Sequence, residues 1–191
     1  PEIASLIDLK DLQELEDAFR KRIEFGTGGI RGKMGPGPNR INLRTVGEAA
    51  QGLAQYVINT LGKDGAERGI VIARDTRNNS ERFARETASI FAANGIQSLL
   101  FDGFRSTPEL SFAVRAKEAA AGVVISASHN PPSDNGFKAY GSDGGQVVPP
   151  QDREIISEVN AVTEIKRLDF DLGVERGLIK TVGSEIDAEY L

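Results

Sequence analysis

Ile70-Val-Ile-Ala-Arg-Asp-Thr-Arg-Asn-Asn-Ser80 is the stretch whose reading decides the fold. Ile70 to Ala73 is a short apolar run of the kind buried on both faces of a parallel sheet. The chain then turns polar, and Ser80 opens a segment with helical apolar spacing that runs to Asn94 and stops at Gly95. Ser80 is the expected N-cap. Working outward, the unit repeats. Ser98 to Phe101 is the next strand, and Thr107-Pro108 starts a helix to about Ala120, with threonine as N-cap and proline in the first turn. Val123 to Ile125 is the third strand. Alternating strands and helices imply parallel strands joined by right-handed crossovers. The fold class expected is α/β: a three-layer α/β/α domain with a small mixed, mostly parallel sheet.

Ligands in such sheets bind beyond the carboxyl ends of the strands. Those ends carry Arg74-Asp75-Thr76-Arg77, then Asp102 with Arg105, then Ser126 to Asn130. The last of these opens Ser126-Ala-Ser-His-Asn-Pro-Pro-Ser-Asp-Asn-Gly-Phe-Lys138, which leaves a buried strand and turns polar at once. Two prolines forbid helix, and Asn135-Gly136 reads as a tight turn. The loop holds His129, the single histidine of the chain, beside Ser128. A hydrolase dyad is a weak reading of that pair. Neighbouring side chains of extended chain point apart, no Gly-x-Ser-x-Gly elbow is present, and there is no second histidine.

The flanks are less regular. Residues 3 to 24 read as one amphipathic helix, with Leu6, Leu12, Leu15 and Phe19 at helical spacing. Six glycines then fall between positions 26 and 37. Phe25-Gly-Thr-Gly-Gly-Ile-Arg-Gly32 lacks the spacing of a P-loop and of a dinucleotide fingerprint. It reads either as a flexible turn or as backbone and Arg31 brought close to an anion. Thr45-Val-Gly-Glu48 is a capping box for a helix to about Leu61, broken by Gly62, Gly65 and Gly69. Ala139-Tyr140 suggests a short antiparallel edge, and Gln151 to about Ile165 a surface helix. From Leu168 the tail mixes Asp, Gly and isolated apolar residues, and residues 184–191 look like the start of a helix. The expected organisation is one domain over 1–183, with 184–191 opening a second.

The chain has 191 residues, 39% hydrophobic and 27% charged, with a formal net charge of -5 and no cysteine. That balance argues against broad nucleic-acid binding and excludes disulfides and thiolate metal sites. No run is long and apolar enough to span a membrane and no signal peptide is visible, so a cytoplasmic location is expected. The first residue is Pro1 rather than Met, which suggests a piece of a longer protein.

Two motifs together resemble one family. Ser126-Ala-Ser-His-Asn-Pro131 followed by Asn135-Gly-Phe-Lys138 resembles the phosphoserine loop of the phosphohexomutase superfamily, the phosphoglucomutases and phosphomannomutases. Phe-Gly-Thr-x-Gly-x-Arg-Gly over 25–32 is similar to that family's opening motif. The resemblance covers nearly all of these residues but only the first of the family's four domains. It implies that Ser128 carries the phosphoryl group, that Lys138 transfers a proton, that His129 assists beside the phosphate and that Arg31 faces it. A phosphoserine bears about -1.5 to -2 charges and needs cations nearby. Arg31, Lys138 and the rim residues Arg74 and Arg77 are candidates, with Asn130 as a further phosphate-binding residue. Arg77 reads equally well as a helix cap or a partner of Asp75.

The resemblance also implies Mg2+, held mainly by an aspartate-rich loop in a domain this chain lacks, with the Ser128 phosphate as the one ligand supplied here. Asp169-Phe-Asp171 is the nearest acidic candidate and reads better as turn chemistry. The implied activity interconverts hexose 1-phosphate and hexose 6-phosphate through a hexose 1,6-bisphosphate. The partners implied are a phosphosugar and the remaining domains of the same polypeptide. Residues 25–42 look closer to the phosphoglucomutase/phosphopentomutase branch than to the glucosamine branch, which typically has aspartate where Gly28 stands. A non-catalytic phosphosugar-binding module and a phosphatase are the competing classes.

Overall fold

The structure is a computed structural model that describes residues 2–8, 11–26 and 28–191. Its centre is a six-stranded sheet built from β1 (Gly29–Lys33), β2 (Ile70–Arg74), β3 (Ser98–Phe101), β4 (Ala121–Ile125), β5 (Asp134–Tyr140) and β6 (Ile179–Val182), in the order β1-β5-β4-β2-β3-β6. β4, β2, β3 and β6 pair in parallel, and β5 runs antiparallel to both of its neighbours. The mixed, mostly parallel sheet expected from sequence is therefore present.

Among the described residues there are eight helices: α1 (Glu2–Asp8), α2 (Leu12–Phe19), α3 (Leu43–Arg68), α4 (Ser80–Ala93), α5 (Thr107–Ala116), α6 (Gln151–Ala161), α7 (Phe170–Glu175) and α8 (Ser184–Tyr190). Ile70, Ile72, Val123, Ile125 and Phe137 pack against α3, α4 and α6 on one face. Val71, Ala73, Leu99, Phe101 and Val124 pack against α5 and α8 on the other. Burial on both faces explains why the inner strands read as unbroken apolar runs rather than alternating ones.

The helix starts differ from the sequence reading by a few residues, and each shift has a local cause. Asn42, not Thr45, caps α3: its side chain accepts from the Arg44 and Thr45 N–H groups, and Thr45 Oγ1 accepts from the Asn42 N–H. The capping box is thus Asn42/Thr45. The helix continues past Leu61 to Arg68 across a kink at Gly62, whose φ is 57°. Ser80 is the first residue of α4, and its hydroxyl is diverted to Asp75 at 2.8 Å. Ser106 rather than Thr107 caps α5 by accepting from Glu109 N–H. The N-terminal segment is two helices, because Asp11 caps α2 through the Glu14 N–H. Pro1, Leu9, Lys10 and Thr27, and the side chain of Leu6, lie outside the described residues. Leu12 and Phe19 are exposed, so that expected apolar face is only partly used.

Three elements were not read from sequence: β1, α7 and β6. The glycine-rich segment contributes β1 as an edge strand, and the tail contributes β6 at the other edge. Asp169, expected in a turn, instead caps the short helix α7, and Asp171 faces Arg85 at 3.6 Å. The helix expected from 184 forms as α8. It packs on α5, with Ile186 buried and Arg105 forked onto both carboxylate oxygens of Asp187 at 2.7 Å.

β5 lies inside the sheet, not at an edge, and β1 closes on it very tightly. Gly29 has φ 139°, and a Cβ there would sit 1.9 Å from the Phe137 carbonyl oxygen. Gly29→Ala is expected to lower stability by at least about 2 kcal/mol through this backbone clash. Gly95→Ala is the contrast: its φ is also positive, but nothing lies within 4 Å. It should lose only about 1 kcal/mol from left-handed strain. Urea denaturation of both variants checks the difference, and equal losses would contradict the close-approach account.

Candidate active site

The serine loop is the tip of a hairpin whose stem is β4 and β5. The ladder runs from Gly122–Tyr140 to Ile125–Phe137, and Ser126 N–H extends it to the Gly136 carbonyl at 3.0 Å. Register then decides what faces the loop. Lys138 stands opposite Val124 on one side and Gly29 on the other, and Arg31 stands opposite Gly136. Residues two apart on a strand share a face, so Arg31 and Lys138 are diagonal neighbours on one surface.

Ser128 has φ 55°, a left-handed conformation that costs a non-glycine residue about 1–2 kcal/mol. Its N–H is held by Ser126 Oγ at 3.0 Å, and Lys138 Nζ lies 2.5 Å from its Oγ. The loop is therefore not extended at Ser128, yet the consequence drawn for the dyad is unchanged: the partner of the hydroxyl is Lys138. His129 is exposed and makes no hydrogen bond among the described residues.

Lys138 is only 7% exposed. Burial first, and then the charge of Arg31, hold its ammonium below the usual lysine range; Asp75 pulls the other way, and Arg77 adds the smallest push downward. Arg31 is exposed and makes no hydrogen bond or ion pair among the described residues, so its cation is available to a newcomer. A small recess of about 20 Å³ opens between Gly28, Ile30, Arg31, Lys138 and Gln146. The arrangement offers an exposed hydroxyl, a guanidinium unpaired among the described residues and a poorly solvated amine.

The other expected phosphate ligands are placed differently. Arg74 is level with Ile125 and so faces the α4 side of the sheet, where it approaches Glu81 at 3.4 Å and lies 4.6 Å from the Phe104 ring centroid. Arg77 reaches the loop but bonds to its main chain, and it pairs with Asp75 as the alternative reading had it. Asn130 donates its side-chain N–H to Asp134 at 2.9 Å. Arg105, the weakest of the rim residues, is occupied by Asp187, Asp102 and Glu109.

Sequence reasoning missed Asn135, Ser126 and Gln146. Asn135 is not in a turn: it is fully buried in β5, donating to the Asn78 carbonyl and to Ser80 Oγ. It thereby ties β5 to the start of α4, a long-range bond that Asn-Gly as a local pattern does not reveal.

Fold and site together define an α/β domain that presents an exposed serine beside a buried lysine and an exposed arginine. Residues 22–166 match the family described as phosphoglucomutase/phosphomannomutase, alpha/beta/alpha domain I, and the chain belongs to that family. It is 40% identical over 181 residues to a phosphoglucomutase of Staphylococcus saprophyticus, covering 93% of this chain and 32% of that protein. A probable phosphoribomutase of Schizosaccharomyces pombe is 38% identical over 196 residues, covering 97% of this chain and 33% of that one. Among solved structures, a putative phosphomannomutase from Thermus thermophilus superposes with a TM-score of 0.71 at 30% identity, over 85% of this chain and 33% of the other. The chain thus spans about a third of the length of these relatives.

A lysine whose basicity is lowered by folding is destabilising while it is charged. The penalty is complete below its folded pKa and fades as pH rises toward the ordinary lysine value. Lys138→Met is therefore expected to melt about 2–4 °C higher than the parent at neutral pH. The gain should shrink toward about pH 10. Thermal melts at several pH values check this, and a lower melting point at neutral pH would contradict the burial argument.

Proposed function

We propose that this chain is the phosphoserine domain of a cytoplasmic phosphohexomutase that interconverts hexose 1-phosphate and hexose 6-phosphate. The observation that carries the reading is the contact between Lys138 Nζ and Ser128 Oγ, beside the exposed Arg31. In the forward half-reaction a sugar hydroxyl attacks the phosphorus of phosphorylated Ser128. The bond from phosphorus to Oγ breaks, Lys138 delivers a proton to the departing oxygen, and the proton of the attacking hydroxyl passes to solvent. The sugar, now a hexose 1,6-bisphosphate, turns over and returns its other phosphate to Ser128 as Lys138 takes the proton back. Arg31 offsets charge on the phosphoryl oxygens, and His129, next to Ser128 and exposed, faces the incoming sugar phosphate. Each charge-assisted hydrogen bond is worth roughly 1.5–3 kcal/mol.

Mg2+ fits this chain only in part. Among the described residues no group of three or more His, Cys, Asp or Glu side chains converges. The acids nearest the loop are engaged, Asp75 by Arg77 and Ser80 and Asp134 by Asn130 and Ser133. The phosphate on Ser128 would be this chain's one ligand, with the others supplied by another domain of the same polypeptide. When bound, the metal neutralises charge on the transferring phosphoryl group. No helix of the described residues is long and apolar enough to cross a membrane.

A pentose phosphate is the second reading for the substrate, because the fission-yeast relative is described as a probable phosphoribomutase. In the intact protein, Ser128→Ala is expected to abolish exchange between the two sugar phosphates. Lys138→Ala should slow it about 10²–10⁴-fold, the usual contribution of a positioned acid-base group. Coupled assays with glucose, mannose and ribose phosphates check both. Normal turnover by Ser128→Ala would remove the mutase assignment, net phosphate release without exchange would indicate a phosphatase, and binding without turnover by the parent a non-catalytic module.

A further inference from the structure

Arg77 sits at the centre of the loop, not at its mouth. Its side chain is 13% exposed. Nη1 donates to the carbonyls of Pro131 at 2.7 Å and Asp134 at 3.1 Å, and Nη2 to those of Ser128 at 2.9 Å and Asn130 at 2.7 Å. Nε faces Asp75 Oδ2 at 3.2 Å. A guanidinium has five N–H donors. Four carbonyls and one carboxylate account for all of them, so a phosphate would gain this arginine only by taking it from the loop.

Asp75 anchors the other end. Its Oδ1 accepts from the Arg77 N–H at 3.0 Å and from Ser80 Oγ at 2.8 Å, and its own N–H donates to the Ile125 carbonyl at 3.1 Å. The guanidinium is thereby fixed to β2 and to the start of α4. Among the described residues the carbonyls of Ser128 and Asn130 have no other donor. Without the cation, four carbonyl dipoles would converge with nothing positive between them.

We propose that Arg77 is a positioning residue for phosphoryl transfer: a cationic plug in a ring of loop carbonyls that holds Ser128 in its left-handed conformation, hydroxyl against Lys138, without ligating the phosphate. The proposal rests on the mutase reading for its kinetic consequence, but the clamp itself does not. Lysine cannot replace the plug, since a point charge with three donors does not match four carbonyls spread around a planar fork.

The test uses Arg77→Ala and Arg77→Lys in the intact protein, with Arg82→Ala as control. Arg82 is exposed and forms no ion pair among the described residues. Arg77→Ala is expected to lower kcat about 10²-fold, the scale of a small misplacement of a reacting group. KM for the sugar phosphate should stay within about threefold. Amides of the serine loop should exchange faster with solvent, and added guanidinium ion should restore both their protection and a large part of kcat. Arg77→Lys should remain slow, and it is the variant to read if Arg77→Ala does not fold. Arg82→Ala should match the parent.

A rise in KM of tenfold or more with kcat preserved would make Arg77 a substrate ligand and overturn the proposal. So would unchanged loop exchange in Arg77→Ala, or in Arg77→Lys where the alanine variant does not fold, or kcat loss that guanidinium does not relieve. If the parent itself shows no exchange of sugar phosphates, the mutase reading falls, while hydrogen exchange still decides the clamp.

Discussion

A lysine held short of water against a serine hydroxyl is the interaction on which the site depends. Lys138 gains its place from the sheet, because β5 is paired on both sides and Lys138 stands between Val124 and Gly29. A buried cation without a full counter-charge is an unfavourable arrangement. The charge of Arg31 makes it more so, and Asp75 offsets only part of the burial penalty. In a chain whose net charge is -5, this small surface is locally cationic and unfinished. A phosphate esterified to Ser128 would complete it, bringing the anion to cations that are already in position and returning Lys138 toward its ordinary basicity. On the proposed function the same lysine would act as a base when the serine is free and as an acid when it is phosphorylated, which is what a reversible transfer needs.

The arginines divide by what they touch. Arg31 is exposed and unpaired among the described residues, so its field is available to a ligand. Arg77 is spent on the main chain of the loop, and Arg74 on Glu81 and the ring of Phe104. Proximity of a cation to a strand end therefore does not by itself make an anion ligand; its donors must be uncommitted. Ser126 from within the loop and Arg77 from beyond β2 spend hydrogen bonds on the loop backbone, and that shape determines where one hydroxyl points.

Much of this was legible in the sequence because it is local. Ile70 to Ala73 and Val123 to Ile125 are continuous apolar runs, and only strands buried on both faces read that way. The serine loop was legible for the same reason, since its polar residues follow directly on a buried strand. What stayed hidden depends on partners far along the chain. β1 is a glycine-rich edge that becomes a strand only because β5 is there to receive it, and β6 has four residues with a mixed burial pattern. Asn135 looked like a turn residue because its bonds go to Asn78 and Ser80, more than fifty positions away. The two readings of Arg77 could not be separated without knowing which way the loop carbonyls face.

The central claim is that Ser128 is the residue that accepts and returns the phosphoryl group. Exposing the intact protein to a hexose 1,6-bisphosphate isotopically labelled in its phosphates, then mapping the phosphorylated peptide by mass spectrometry before and after adding unlabelled hexose monophosphate, tests it directly. The account predicts label on Ser128 alone that passes to the sugar in the second step. Label on another residue, or label on Ser128 that the sugar cannot remove, would contradict it.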